Sequence, residues 1–536
     1  MNNPEQTQNR EAWASRLGLI LAMAGNAIGL GNFLRFPVQA AQNGGGAFMI
    51  PYFIALLLLG IPLMWVEWAI GRRGGQLGYG SAAGAFGALV KSRGGSKLAN
   101  YLGALGISVP IAFAIYYCYI ESWTLAYSTF SITGKYFGIL DRPSMLNFLQ
   151  GFQGTQASEH FAGVTGEVFV IPYTALVFFL ITVGLNVWII SRPVAHGIER
   201  LAKIAMPTLF IFALILVVRV ITLGTPDPAQ PENSVYNGFG YLWNPDFSQI
   251  TKARPWLAAA GQIFFTLSIG TGSILTYASY MKRKEDLALT GLTTSATNEF
   301  AEVIFGGSIA IPVAVAFFGL TETKDIALGG SFNLGFAAMP IIFQKLPLGQ
   351  VFGAMWFILL FFAGITSSVA LCSPAMAFLQ DQMKMTRQKA AMVVGIVLVV
   401  LGLPVILFLH HGFLDEMDFW AGTFGLVIFA VIEVILFAWV FGIKKAWAEI
   451  NEGADIRIPV VFKFIIQYVT PLYLIGLLFF WGRQDGIPIF FMEGKDPAHI
   501  PYLWGARIMM AGLTVISVVL IARAYKRGTI RHETSS

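Results

Sequence analysis

Long apolar stretches recur along the chain and are separated by short polar segments. A helix needs about 20 mostly apolar residues to cross the hydrocarbon core of a membrane. Stretches of about this length lie near residues 14–41, 46–72, 98–130, 167–190, 197–223, 256–281, 290–319, 347–380, 389–409, 416–441, 459–482 and 502–524. The pattern therefore predicts an all-α integral membrane protein with about twelve transmembrane helices.

The composition supports the same interpretation. Of the 536 residues, 56% are hydrophobic and 12% are charged, whereas soluble domains carry about 25% charged residues. The net charge of +6 is spread thinly over the chain, so we expect no nucleic-acid partner. The lipid bilayer is the expected surrounding of almost the whole chain.

Lysine and arginine are concentrated in the loops that follow the even-numbered stretches and in the C-terminal tail. They are Arg72, Arg73, Lys91, Arg93, Lys97, Arg192, Arg200, Lys203, Lys282, Arg283, Lys284, Lys384, Arg387, Lys389, Lys444, Lys445, Arg523, Lys526, Arg527 and Arg531. Because short cytoplasmic loops carry the excess of cations, both termini are predicted to be cytoplasmic. The sequence contains no Asn-x-Ser/Thr acceptor, which mildly favours a bacterial inner (plasma) membrane.

Glycine and polar residues interrupt the first apolar stretch, between Gly25 and Pro37. Three glycines within seven residues each cost about 1 kcal/mol of helix stability relative to alanine. Asn32 and Arg35 follow at membrane depth, where a charge is expensive and usually functional. A Gly25-x-x-x-Gly29 packing face would explain the glycines but not these two side chains. A dinucleotide-binding loop is excluded, because no strand precedes the glycines.

The sixth stretch has a matching interruption from Phe264 to Ser273, with glycines and hydroxyls at membrane depth. Broken helices at corresponding positions of two halves are the best sequence pointer to a transporter binding site. A half-helix that begins near Leu30 would direct its free N–H groups at a carboxylate. Unwound carbonyls between Gly25 and Ile28 could coordinate a cation.

Two further stretches add oxygen ligands. The eighth contains Ala363–Ser368, whose hydroxyls could also bond back to carbonyls of their own helix. The seventh places Asn298 and Glu302 four residues apart, on one helical face. Oxygen ligands without clustered histidine or cysteine suit a hard alkali cation.

These segments together resemble the neurotransmitter:sodium symporter family over nearly the whole chain. Within that family they most resemble the bacterial leucine transporter, which defines the LeuT fold. The resemblance rests on the 25–37 segment and on the strings at 120–123, 261–266 and 415–420. It implies a LeuT-type inverted repeat of five plus five helices, with helices 1 and 6 unwound at mid-membrane. The implied parts are a cytoplasmic N-terminal segment 1–13, repeats 14–223 and 256–441, two peripheral helices 459–524 and a cytoplasmic tail 525–536.

The resemblance also implies two bound sodium ions and a substrate between them. The first sodium site would use Ala27, Asn32, Thr266, Asn298 and the substrate carboxylate. The second would use Gly25, Ile28, Ala363, Thr366 and Ser367. The implied substrate-binding residues are Asn26, Ala27, Leu30, Gly31, Phe113, Tyr117, Phe265, Thr266, Ser268, Thr271, Ser367 and Leu371. With no unpaired ionic residue in this set, a neutral amino acid is expected, because a charged substrate side chain would be buried alone.

Two gates and one carboxylate complete the implied site. Arg35 and Asp418 would close the outer side above Phe265 and Tyr117. The cytoplasmic gate would consist of Arg10, Asp381, Trp13, Ser279 and Tyr280. Glu302 stands where chloride-dependent relatives have a neutral residue, so it would replace chloride as the negative charge.

Three residues of the implied pocket depart from the leucine transporter. Phe113 replaces a valine, Thr271 replaces a phenylalanine and Leu371 replaces an isoleucine. Methylene-scale changes alter substrate preference by roughly 1–3 kcal/mol, so we expect a hydrophobic or small neutral amino acid and leave leucine itself open. The oligomeric state stays open between a monomer and a homodimer.

Two other classes of membrane protein fit the sequence less well. A membrane-embedded enzyme needs a nucleophile–base pair or a metal cluster, but the histidines do not group at membrane depth, and Glu67, Glu121 and Glu433 are scattered. A channel needs a continuous pore, against which the paired gates argue. The expected function is sodium-coupled symport by alternating access, and not catalysis.

Overall fold

The structure is a computed structural model that describes residues 11–530, and it is almost entirely helical. The helices that form its body are α1 (Arg16–Ala27), α2 (Leu30–Gln42), α3 (Gly46–Gln76), α4 (Leu105–Thr133), α5 (Tyr173–Ile190), α6 (Ile198–Ile221), α7 (Ala253–Leu267), α8 (Ser273–Ala278), α9 (Leu287–Leu328), α10 (Gly349–Asp381), α11 (Arg387–Leu407), α12 (Phe413–Val440), α13 (Val461–Trp481) and α14 (Ile500–Lys526).

Shorter elements connect these helices. They are the helical segments Ala82–Ala85, Gly87–Leu89, Arg93–Leu102, Arg142–Gln153, Val235–Trp243, Phe247–Gln249, Ser331–Gln344, Leu409–His411, Ile443–Asn451 and Ile487–Phe490. The strands Gly163–Val164 and Ile171–Pro172 pair antiparallel, with Gly163 opposite Pro172. The connections 131–166 and 224–255 therefore contain local structure but no separate domain.

Within the described residues, ten helices are long and apolar enough to cross a membrane. The pair α1 and α2, which meet at a bend of 47°, would add an eleventh span. The predicted sixth stretch is divided into α7 and the six-residue α8, so neither part reaches the length of a span. The all-α membrane class is confirmed, and the count of twelve stays a prediction.

The helices differ in how deeply they are buried, and this places the centre of the molecule. In the most apolar 18-residue stretch of α10, 83% is buried inside the protein, whereas in that of α14 only 17% is buried. α10 packs along α4, α6 and α1. Small residues such as Ala363 and Gly364 allow this close approach of backbones.

Large apolar side chains are exposed on the outer helices, among them Trp188, Ile211, Leu472 and Ile508. A soluble monomer rarely exposes apolar surface on this scale. Each helix pairs its own backbone groups internally, which is the requirement for a segment surrounded by lipid. The surface is therefore that of a multi-pass membrane protein.

Candidate functional site

The break between α1 and α2 lies at Ile28 and Gly29, whose backbone is extended. The N–H of Gly29 donates to Asn32 Oδ1 at 2.8 Å, and the N–H of Leu30 donates to Tyr117 Oη at 3.1 Å. A Cβ atom on Gly29 would lie 2.9 Å from that phenol oxygen. The first N–H groups of α2 therefore open onto Tyr117, where the positive end of a helix dipole favours an anion.

The second break, between α7 and α8, depends on left-handed backbone at Ser268, Gly270 and Gly272, with φ of 54°, 74° and 73°. The Ser268 hydroxyl donates to the carbonyl oxygen of Asn26 at 2.8 Å. The N–H of Gly270 donates to Glu67 Oε1 at 2.6 Å. The first of these bonds joins the two broken helices directly.

Three side chains meet beside the two breaks, from α2, α7 and α9. Asn32 Nδ2 donates to Thr266 Oγ1 at 3.0 Å and to Asn298 Oδ1 at 2.9 Å. Asn298 Nδ2 donates to Thr266 Oγ1 at 2.9 Å. All three are buried, and Ala27 is buried at the adjoining end of α1. The structure therefore brings together the three side chains predicted for the first sodium site.

The residues predicted for the second sodium site lie between α1 and α10. Ser367 Oγ is 3.3 Å from the Gly25 carbonyl oxygen and 3.1 Å from that of Ala363. Thr366 Oγ1 donates to its own helix at the carbonyl oxygens of Phe362 and Ala363, at 2.9 and 3.2 Å. Ile28 is buried at the end of α1. Hydroxyls and carbonyls thus converge here, while the hydroxyls also satisfy α10 itself.

Aromatic rings form one wall of the predicted substrate pocket. The ring centroids of Phe113 lie 5.5 Å from Tyr117 and 5.8 Å from Phe265. A Cβ on Gly31 would lie 2.5 Å from the Phe265 ring, so that ring rests against the start of α2. The cluster offers an apolar surface next to backbone N–H groups.

The remaining pocket residues are buried around the second break and on α10. Thr271 donates its hydroxyl to the Ser268 carbonyl oxygen at 2.7 Å, and Ser273 Oγ donates to Asn26 Oδ1 at 3.1 Å. Leu371 is buried one turn along α10 from Ser367. Thr271 thus bonds within the linker between α7 and α8, whereas Asn26 of α1 bonds to the first residue of α8.

The predicted outer gate has a different geometry from a direct ion pair. The Arg35 guanidinium lies 4.6 Å from the centroid of the Phe265 ring. Asp418 accepts a hydrogen bond from Tyr116 Oη at 2.7 Å. In the described part of the chain no ion pair joins Arg35 and Asp418. Tyr116 is a residue that the sequence did not single out.

At the opposite end, Trp13 is buried and its indole Nε1 donates to the Tyr277 carbonyl oxygen at 3.0 Å. Its ring centroid is 6.3 Å from that of Tyr280. Asp381 accepts a hydrogen bond from the N–H of Gly80 at 2.7 Å. Arg10, the other predicted gate residue, lies outside the described residues.

Glu302 is fully buried on α9 and is bonded to two partners that the sequence did not point to. Tyr52 Oη lies 2.7 Å from Glu302 Oε2 and 2.6 Å from Glu299 Oε2, and Gln262 donates to Glu302 Oε1. Gln262 stands in a string that carries the resemblance, but nothing in the sequence links Tyr52 to Glu302. Because Glu302 follows Asn298 by four residues on α9, the two side chains lie about one helical turn apart.

The sodium:neurotransmitter symporter family model matches residues 10–137 and 166–526. This chain belongs to that family. An uncharacterized sodium-dependent transporter of Methanocaldococcus jannaschii is 31% identical over 88% of this chain and 90% of its own length. The sodium- and chloride-dependent glycine transporter 1 of Xenopus laevis is 25% identical over 89% of this chain and 78% of its own length.

A solved structure of MhsT in complex with L-phenylalanine matches with a TM-score of 0.73 and 28% identity, over 88% of this chain and 99% of that one. The predicted resemblance and the LeuT-type fold class are therefore confirmed. The family and the fold are those of transporters and not of enzymes. The protein is a sodium-coupled symporter in a membrane.

Proposed function

We propose that this symporter carries a neutral amino acid, hydrophobic or small, into a bacterial cell across the inner membrane by alternating access. The main support for this proposal is that the two broken helices meet at the Ser268–Asn26 hydrogen bond, beside the rings of Phe113 and Phe265. The substrate carboxylate would bind the N–H groups at the start of α2 and the Tyr117 hydroxyl. Its ammonium group would bind carbonyls at the end of α1 and in the linker after α7.

The neutral character of the pocket supports a neutral side chain on the substrate. The predicted lining residues carry no charge, and the Arg35 guanidinium lies over the Phe265 ring. A charged substrate side chain would be buried without a partner. The matched structure of MhsT holds L-phenylalanine, and another relative is named as a glycine transporter, so both are associated with neutral amino acids.

Two sodium sites are part of the proposal. The first consists of Ala27, Asn32, Thr266 and Asn298 with the substrate carboxylate as a further ligand. Bound sodium would then raise the affinity for substrate, and bound substrate would raise the affinity for sodium by the same factor. The second consists of Gly25, Ile28, Ala363, Thr366 and Ser367. Neutral oxygens in both sets fit an alkali cation.

Chloride independence is proposed from the position of Glu302. Its carboxyl group is buried among the donors Tyr52 and Gln262, one turn from Asn298. A carboxylate there supplies the negative charge that the sodium ions require. Transport should therefore continue when gluconate replaces chloride.

The deciding experiment is uptake into proteoliposomes driven by an inward sodium gradient. Accumulation of a neutral amino acid above its outside concentration is expected with sodium and not with potassium. A thermal-stability screen of the twenty amino acids would identify the substrate beforehand. Stabilisation by anionic or cationic amino acids alone would refute the pocket assignment.

The remaining proposals concern architecture. The repeats are 14–223 and 256–441, and the helices at 459–524 are peripheral, in keeping with the low burial of α14. Both termini are proposed to be cytoplasmic, with the Arg35–Asp418 region as the outer gate and the Trp13 region as the inner gate. A cysteine placed near either terminus should react with an impermeant reagent only in permeabilised cells.

A further inference from the structure

Glu121 is a buried acid on α4 that the proposed transport site does not use. Its side chain is fully buried. Neither of its carboxyl oxygens accepts a hydrogen bond from a described residue, and no described cation is paired with it. An ionised carboxylate without partners in an apolar interior is strongly unfavourable.

The neighbouring polar groups have their own hydrogen bonds. Ser368 lies one turn along α10 from Gly364, which packs against Glu121, and Ser368 is bonded to Asn186 of α5, so both lie beside the carboxyl group. The Ser368 hydroxyl donates to Asn186 Oδ1 at 2.8 Å, and Asn186 Nδ2 donates to the Thr182 carbonyl oxygen at 3.1 Å. The Ser368 hydroxyl is therefore committed to Asn186, whereas the Asn186 amide keeps a second N–H.

A proton on Glu121 would complete this chain. A carboxylic acid has one O–H donor, and Ser368 Oγ and Asn186 Oδ1 each have a lone pair left to accept it. The direction of the bonds would then run from Glu121 through Ser368 and Asn186 to Thr182. An ionised Glu121 could only accept the second N–H of Asn186, and its buried charge would have no described cation beside it.

Among the described residues, no cation lies beside Glu121 in place of the proton. A Cβ atom on Gly364 would lie 2.9 Å from Glu121 Cγ, so α10 packs directly against the stem of this side chain. The titratable groups that face Glu121 are Tyr117 and Cys118 on α4 and Cys372 on α10. From α5 it meets the neutral Asn186. None of these groups is a cation.

Glu121 and the proposed second sodium site lie on different sides of α10. Gly364 and Ser368 face α4 and α5, whereas Thr366 and Ser367 face Gly25 of α1. An α-helix with its side chains is about 10 Å across. At this distance, with an effective dielectric constant of about 20, two unit charges change each other's binding on the order of tenfold.

We propose that Glu121, Asn186 and Ser368 form a proton-binding site within the membrane, and that its proton and the sodium ion on a different side of α10 oppose each other's binding. The opposition between proton and sodium rests on the proposed function and deepens it. Loss of the proton would place a negative charge behind α10 and strengthen sodium binding. Sodium binding would in turn favour release of the proton.

Infrared spectroscopy of the reconstituted protein near neutral pH tests the proton site. The spectrum of the wild type minus that of Glu121→Gln should contain the C=O band of a carboxylic acid.

The matched control is Glu199→Gln, because Glu199 is equally buried but is paired with Lys203 at 2.7 Å. Its difference spectrum should contain carboxylate bands. If Glu121→Gln is not folded, Glu121→Asp should shift the acid band. Carboxylate bands for Glu121 would overturn the proposal.

Binding of radioactive sodium tests the opposition, with Glu121→Gln compared with the otherwise unchanged protein so that Glu302 contributes equally to both. Sodium affinity should rise on the order of tenfold from acidic to alkaline pH when Glu121 is present. The same protein with Glu121→Gln should lack this contribution. Equal pH dependence in both would overturn the opposition. The infrared result does not depend on where sodium binds, so failure of the proton site and of the transport proposal are distinguishable.

Discussion

At the residue scale, the cluster of Asn32, Thr266 and Asn298 is the clearest test of the first sodium site. Asn298→Ala removes a buried oxygen that would bind the ion. A hydrogen bond or ligand to a charged group contributes about 1.5–3 kcal/mol, so the sodium concentration for half-maximal uptake should rise about tenfold or more. Ser295→Ala is the matched control, because the Ser295 hydroxyl bonds to the Gly291 carbonyl oxygen of its own helix. An unchanged sodium dependence in Asn298→Ala would remove this residue from the site.

Glu302 is a second test at the residue scale. Glu302→Ser takes away the carboxylate but leaves the Tyr52 and Gln262 donors. The vacated space should accept an anion, since the positive charge of sodium nearby favours one. Uptake by Glu302→Ser is expected to require chloride, whereas the wild type is expected to work in gluconate. Glu302→Gln removes the charge without making space and should be impaired in both media. Chloride-independent uptake by Glu302→Ser would contradict this role.

At the element scale, the break between α7 and α8 depends on glycine. Gly270 has a φ of 74°, and a Cβ there would lie 2.2 Å from the Leu426 carbonyl oxygen. Gly270→Ala should therefore lower stability by about 3 kcal/mol or more, since it adds a backbone clash to left-handed strain. Gly78→Ala is the control, because Gly78 has a φ of 83° with nothing within 4 Å. Strain alone should cost about 1–2 kcal/mol there. Thermal unfolding in detergent compares them, and equal losses would contradict a special requirement at the break.

At the scale of the whole molecule, the buried Trp13 ties the N-terminal segment to α8. Trp13→Ala removes its contacts with Tyr277 and Tyr280. The inward-open population should increase, and apparent affinity for external substrate should fall in proportion to the remaining competent fraction. Trp188→Ala is the control, since Trp188 is 58% exposed on the outer surface. Uptake against external substrate concentration measures both, and matching curves would refute a closing role for Trp13.

The sequence by itself determined the class and the main features of the transport machinery. Long apolar stretches predict helices because a backbone in lipid must satisfy its own hydrogen bonds. The two glycine-rich interruptions predicted where regular helix would fail, and the structure has its breaks at Ile28–Gly29 and between Leu267 and Ser273. The strings around them identified the family, which the comparisons confirmed.

Only the tertiary structure decided which polar groups face each other. It brings Tyr116 into a hydrogen bond with Asp418 and Tyr52 into one with Glu302, and it places Asn186 and Ser368 beside Glu121. The partners in each case are far apart in sequence and lie on different helices. Their meeting depends on how each helix is rotated in its packing, which local patterns do not specify. The apolar pattern therefore fixes which segments are buried, while the packing of α4, α5 and α10 decides which buried polar groups find partners.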